Sequence, residues 1–142
     1  MNQVRSLLQK EKGNAWVLWL DSDIILQFES YLKIAEAMRW AEKKNKSWTA
    51  NYRMANGTSV LMKQRTLYNA EHYTDEEVEQ LKPYAEIAMT GFGFAYINMD
   101  LEYRFRADEA GEDVNFFLDN PDFNIYLAKD ISIGHSKSVV FW

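Results

Sequence analysis

An α/β domain with a mixed, mostly parallel sheet flanked by helices is the fold class that three observations predict. The first is residues 15–20, Ala-Trp-Val-Leu-Trp-Leu, a continuous apolar run rather than an alternating one. Such a run fits a strand buried on both faces in the interior of a sheet. The second is the switch to helical spacing over residues 29–44, where Leu32, Ala35, Met38 and Ala41 or Glu42 recur every three to four positions. The third is size and composition. A chain of 142 residues with 47% hydrophobic residues suits one domain, 1–142, with a substantial core, and is too apolar to be disordered.

The remaining elements follow in order. Residues 2–12 carry Val4, Leu7 and Leu8 on one helical face and are broken by Gly13-Asn14. The apolar strand stops at Asp21-Ser22-Asp23. Ser30 is placed to cap the next helix, and Lys43, Lys44 and Lys46 complement its C-terminal dipole. Residues 47–54 and 59–64 read as two strands joined across Ala55-Asn56-Gly57-Thr58, a hairpin-turn signal. Residues 68–74 are loop. Thr74-Asp75-Glu76-Glu77 has the spacing of a capping box and opens a short helix ending near Pro83. Residues 86–98 form a loop with two glycines that enters a strand. Residues 101–106 suggest a helical turn. Gly111-Glu112-Asp113 opens a helix that Asn120-Pro121 ends. Short strands are expected at 123–127 and 130–134, with His135 at the end of the second, before an apolar tail at 139–142. There is no internal repeat.

Charge and composition exclude several functions. A net charge of −5 argues against nucleic acid as a main partner, because binding phosphates needs basic patches. The absence of cysteine excludes disulfides, a thiolate metal site and a cysteine nucleophile. No apolar run approaches the roughly 18 residues of a membrane span. The lack of a signal-peptide pattern points to the cytoplasm. With 15% aromatic residues, some Trp and Tyr side chains are expected to line a cleft, where their polar atoms find partners.

Four places carry candidate chemistry. In an extended segment, Asp21 and Asp23 point to the same side and can meet one hard divalent cation, Mg²⁺ or Mn²⁺. They can equally cap the following helix or lie solvated in a turn. Ligands in open α/β sheets bind beyond the carboxyl ends of strands, which is where this pair falls. His135 is either an exposed or capping histidine or a nitrogen ligand that would tilt an acidic site toward Mn²⁺. Glu112 and Asp113 suit a helix N-terminus through the dipole, and one of them could serve as a general base toward a hydroxyl. Gly91 and Gly93 permit either close backbone approach to a ligand or a bulge. Their spacing does not continue as a dinucleotide fingerprint. His72, in a polar loop, is assigned no role.

Taken in order, Trp-Val-Leu-Trp-Leu-Asp-Ser-Asp, a helix, Gly-Phe-Gly-Phe-Ala-Tyr-Ile, Gly-Glu-Asp-Val and Ile-Gly-His resemble nucleotide-sugar glycosyltransferases of the A fold, especially inverting family 2-like enzymes. The resemblance runs from about Asn14 to the end. It implies that Asp21 and Asp23 are the family's Asp-x-Asp motif, binding Mn²⁺ or Mg²⁺ and the nucleotide diphosphate. It implies that Asp113, with Glu112 beside it, is the catalytic base, and that His135 completes the metal site. It also implies that residues 91–94, with Gly91 and Gly93, line the donor-sugar and acceptor pocket. The expected partners are a nucleotide-diphosphate sugar and a glycan or other hydroxyl acceptor.

The departure lies at the N-terminus. In the family, βαβ units holding the base and ribose precede the Asp-x-Asp strand, and one such unit needs about 30 residues. Here 15 residues precede Trp16, so the nucleotide-binding half is expected to be missing and the fold truncated. The exposed truncated edge would favour a homo-oligomer. The sequence therefore supports two readings: a metal-dependent, inverting sugar transfer, or a catalytically inactive A-fold module acting in binding or assembly. Haloacid-dehalogenase-type phosphatases also place Asp-x-Asp after an apolar strand, but expect Thr two residues after the second Asp, where this chain has Ile25.

Overall fold

A computed structural model describes residues 15–99, 112–131 and 133–135. The helix expected over 2–12, the turn over 101–106 and the apolar tail lie outside them. The described elements are β1 (Ala15–Leu20), β2 (Ile24–Leu26), α1 (Ser30–Lys44), β3 (Ser47–Thr49), α2 (Asp75–Gln80), β4 (Glu86–Ile87), β5 (Phe94–Met99), α3 (Glu112–Asp119), β6 (Ile125–Leu127) and β7 (Ile133–His135). Among the described residues no helix is long and apolar enough to cross a membrane.

The architecture is mixed α/β, but the sheet is not mostly parallel. Five strands lie in the order β1-β5-β3-β6-β4. β5 pairs antiparallel with both β1 and β3, and β4 pairs antiparallel with β6. Among the described strands only β3 and β6 pair in parallel. The cause is the return of β5 between β1 and β3: three strands, β1, β3 and β6, point one way, and the strand that separates the first two runs against both. A second, two-stranded ribbon joins β2 to β7 antiparallel.

β1 forms over the expected residues but not in the expected place. It is an edge of the five-stranded sheet, with β5 as its one partner among the described residues. Leu18 and Leu20 are 36% and 48% exposed, so the apolar run is not buried on both faces.

Local signals hold well in the helices. α1 buries Ile34, Ala37 and Ala41, and Lys43 and Lys44 occupy its last turn, where the dipole favours cations. Its C-terminus is closed by Asn45 in the left-handed conformation, φ 54°, a position asparagine tolerates. Ser30 is not its cap. The cap is Glu29, with no side-chain bond, and Ser30 is instead a buried first-turn residue. α2 has its capping box: Thr74 Oγ1 accepts from the Glu77 N–H, and Glu77 Oε1 accepts from the Thr74 N–H.

The hairpin is tighter and less regular than two paired strands. Its turn is where expected. Gly57 N–H donates to Met54 O, Gly57 takes φ +85°, and Met54 N–H donates to Thr58 O. That is a three-residue loop with a left-handed glycine. Beyond it, regular pairing is reduced to single bridges, Arg53 with Ser59 and Met62 with both His72 and Met89. β3 therefore ends at Thr49, and residues 50–62 fold as an irregular layer over the sheet end, with Ala50, Tyr52, Val60, Leu61 and Met62 buried.

Aromatic residues bind the layers together. Trp16, Tyr96 and Trp48 form a row across three neighbouring strands, with centroids 5.2 and 5.8 Å apart. Phe92, Phe116, Phe117 and Phe123 make a second cluster through edge-on and tilted contacts. Arg65 ties this cluster down. Its Nε donates to Ala88 O at 2.9 Å, its Nη1 approaches the carbonyls of Phe117, Asn120 and Pro121, and its Nη2 donates to Phe123 O. Its guanidinium lies 5.3 Å from the Phe117 ring centroid. A planar fork of five donors meets the carbonyls at the C-terminus of α3, where a cation is favoured.

Arg65→Lys keeps the charge but cannot span this set. It should lower unfolding stability by about 2–4 kcal/mol, read by urea denaturation. A loss below about 0.5 kcal/mol, the scale of an ordinary surface change, would show that the clamp is ornamental.

Candidate functional site

The carboxyl ends of β1, β3 and β6 lie along one rim of the sheet, with the entry to β5 between the first two. The rim is held by backbone bonds. Asp21 N–H donates to Gly93 O at 2.8 Å, and Ala50 N–H donates to Phe94 O at 3.1 Å. The end of β1, the start of β5 and the segment after β3 are thus fastened at the same level.

Asp21-Ser22-Asp23 is a turn, not an extended continuation of β1. Ile24 N–H donates to Asp21 O at 3.2 Å, closing it. The two carboxylates therefore share a locality because the chain reverses there, not because alternate residues of a strand share a face. β2 follows at once and pairs with β7, placing Ile24 opposite His135. The backbone of His135 thus arrives next to Asp23; its side chain lies outside the described atoms, as does that of Glu112. Among the described residues no group of three His, Cys, Asp or Glu side chains is close enough to hold a metal.

Tyr52 stands in the middle of the rim. Its hydroxyl accepts from the Gly93 N–H at 3.1 Å, and the residue is only 8% exposed. This contact explains both glycines. A Cβ on Gly93 would fall 2.2 Å from Tyr52 Oη, and one on Gly91 would fall 2.9 Å from Val60 Cγ2, 3.1 Å from Tyr52 Oη and 3.2 Å from Asp113 Oδ2. The glycine pair is neither a bulge nor a dinucleotide loop. It is the space through which a phenol and a carboxylate approach the same stretch of backbone.

Asp113 reaches this point from the first turn of α3 and is half-buried. Burial holds the Tyr52 phenol protonated well above its ordinary range, and the carboxylates of Asp113, Asp21 and Asp23 add to this against the opposing pull of the Gly93 N–H. Three acidic groups from two distant segments thus act on one hydroxyl.

The structure brings Asp21, Asp23, Gly91, Gly93 and Asp113 to one rim, with the backbone of His135 beside them. Tyr52 is the residue that sequence reasoning missed. In the sequence it is an ordinary aromatic in a presumed strand, and the one hint of it is a Gly-x-Gly whose missing Cβ atoms imply a large neighbour.

No family model, no curated protein and no solved structure matches this chain.

Gly93→Ala should lower stability by roughly 2–3 kcal/mol, the scale of a core overfilled by a methyl group. In a Tyr52→Ala background the same change should cost far less, because the clashing ring is gone. Additive effects in a denaturation cycle would refute the contact. The raised phenol also sets a pH dependence. The folded state holds that proton more tightly, so its contribution is fully present below the ordinary tyrosine value of about 10 and is lost as the pH rises above it. Wild type should therefore lose more stability between neutral and strongly alkaline pH than Tyr52→Phe does; equal losses would contradict the assignment.

Proposed function

We propose that this chain is the metal- and acceptor-binding portion of a nucleotide-sugar glycosyltransferase of the A fold, transferring a sugar to an acceptor hydroxyl with inversion. The observation that carries this reading is the convergence of Asp21, Asp23, Gly91, Gly93 and Asp113 around Tyr52 at the carboxyl rim of the sheet.

In this reading Asp21 and Asp23 would hold Mn²⁺ or Mg²⁺, with His135 as a further ligand. Two carboxylates from one turn are a hard-oxygen donor set suited to either ion. When bound, such an ion supplies neutralisation of the charge developing on the leaving diphosphate. Asp113 takes the proton from the acceptor hydroxyl as that oxygen attacks the anomeric carbon, and the glycosidic bond to the diphosphate breaks on the opposite side. Glu112 precedes it in the same helical turn. The Gly91–Gly93 stretch would line the donor-sugar and acceptor pocket, with its missing Cβ atoms letting Tyr52 and Asp113 pack against it.

The outer edge of β1, which has no partner strand among the described residues, favours a second reading, a binding or assembly module without turnover. Leu18 and Leu20 are the side chains a partner, including another copy of the chain, would cover.

Calorimetric titration with UDP and with GDP, each with Mn²⁺, separates the two. The transferase reading expects one nucleotide to bind only with the metal, Asp23→Ala to abolish that binding, and Asp113→Asn to leave it intact because the base does not hold the diphosphate. No heat with either nucleotide, or an unchanged affinity in Asp23→Ala, would defeat it.

A further inference from the structure

The rim does not stop at Tyr52. β3 leads into residues 51–53, and β6, which is parallel to it, leads into residues 128–131 and on to Ile133. Between these two segments and α2 lies an open cleft of about 420 Å³, within the range of small-ligand sites, roughly 300–1,000 Å³. Tyr52 is one of its lining residues, so the cleft adjoins the acidic centre through the residue that stands against Gly93.

Its chemistry is unlike that of an anion site. Among the described residues two cations line it, and both are engaged by the protein. Arg53 Nη2 pairs with Asp75 Oδ2 at 2.5 Å, and its Nη1 lies 3.4 Å from Gly57 O. Lys129 Nζ donates to the carbonyls of Glu79 and Leu81 at 2.5 and 2.7 Å. With Asp75 and Glu79 also in the lining, positive and negative side chains balance. A phosphate would find no opposed pair of uncommitted cations.

What the walls do offer suits hydroxyl groups. Asn51 Oδ1 accepts from Ser59 Oγ at 2.6 Å, which leaves its amide N–H₂ as the donor it presents. The exposed Glu79 carboxylate is an acceptor for O–H. Val78 and Ile133, both half-buried, supply apolar surface of the kind that takes the C–H face of a pyranose ring, over the buried Leu127 and Ile131. An amide donor, a carboxylate acceptor and an aliphatic floor with no net charge are the recognition elements for a neutral polyol.

We propose that this cleft is a carbohydrate subsite, which holds the acceptor glycan beside Asp113. The site itself rests on the cleft's lining; its role as acceptor site rests on the glycosyltransferase reading above.

The test is a ¹⁵N–¹H correlation titration of the full chain with maltose, cellobiose, lactose and N,N′-diacetylchitobiose, and separately with inorganic phosphate. At least one disaccharide should shift the amides of Asn51, Val78, Leu127 and Ile133 saturably. Glu79→Gln, with the thermal midpoint unchanged, and Asn51→Asp, which removes the amide donor but keeps an oxygen for Ser59 Oγ, should each weaken that binding roughly ten-fold. No response to any disaccharide, a response to phosphate in their place, or wild-type affinity in both variants would overturn the subsite. Adding UDP or GDP with Mn²⁺ to the same sample tells the two failures apart. Nucleotide binding with a silent cleft sinks the subsite alone, whereas disaccharide binding without nucleotide keeps the carbohydrate site and removes its acceptor role.

Discussion

The hydroxyl of Tyr52 accepts the N–H of Gly93 at 3.1 Å, in space that a Cβ on Gly93 would need. That one close approach sets the spacing of the rim. Gly93 O in turn receives the N–H of Asp21, so the height of Tyr52 above the sheet also fixes where the acidic turn begins. Gly91, two residues earlier, lies against both Tyr52 and Asp113. A single buried phenol thus couples the end of β1, the entry to β5 and the first turn of α3.

The coupling needs rigid supports on each side. Beneath Tyr52, β3 is pinned by Thr49, fully buried, whose Oγ1 reaches Phe94 O at 3.3 Å and Thr90 Oγ1 at 3.4 Å. Beyond Asp113, α3 is held at its other end by Arg65, whose guanidinium gathers the main-chain carbonyls of Phe117, Asn120 and Pro121 at and just past the helix C-terminus. A side chain at a helix N-terminus is only as well placed as the helix. Here the helix is fixed through its last turn by a residue from a different segment, and through Phe116 and Phe117 by the aromatic cluster. α2 is built differently. It buries no side chain completely and is held by Arg53–Asp75, Lys63–Glu77 and Lys129, polar contacts that leave its inner side open to the cleft.

Features governed by neighbours in sequence were legible from sequence. The capping box at Thr74 and Glu77, the lysines closing α1, the stop of α3 at Asn120 and the reversal at Gly57 each depend on contacts within a few residues. Features governed by distant pairing were not. Nothing local tells residues 94–99 to run antiparallel between β1 and β3, so a helix-rich alternation of elements read as a mostly parallel sheet. An apolar run reads the same at a sheet edge as at its centre, which is why Leu18 and Leu20 were expected to be buried. Asp21 and Asp23 were legible as a pair, but the geometry behind the pairing is a turn. Tyr52 was hidden because its partner Gly93 lies 41 residues away.

The claim on which the functional account stands is that Asp21 and Asp23 form a metal-binding turn at the same rim as Gly93, Tyr52 and Asp113. Paramagnetic broadening by Mn²⁺ reads this directly, with no donor or acceptor required. On titrating Mn²⁺ into ¹⁵N-labelled protein, the amides of residues 21–24 should broaden first, followed by those of Gly93, Tyr52 and Asp113. The acidic first turn of α2, Asp75 to Glu77, should stay sharp. Broadening centred on α2, or none at residues 21–24, would contradict the account.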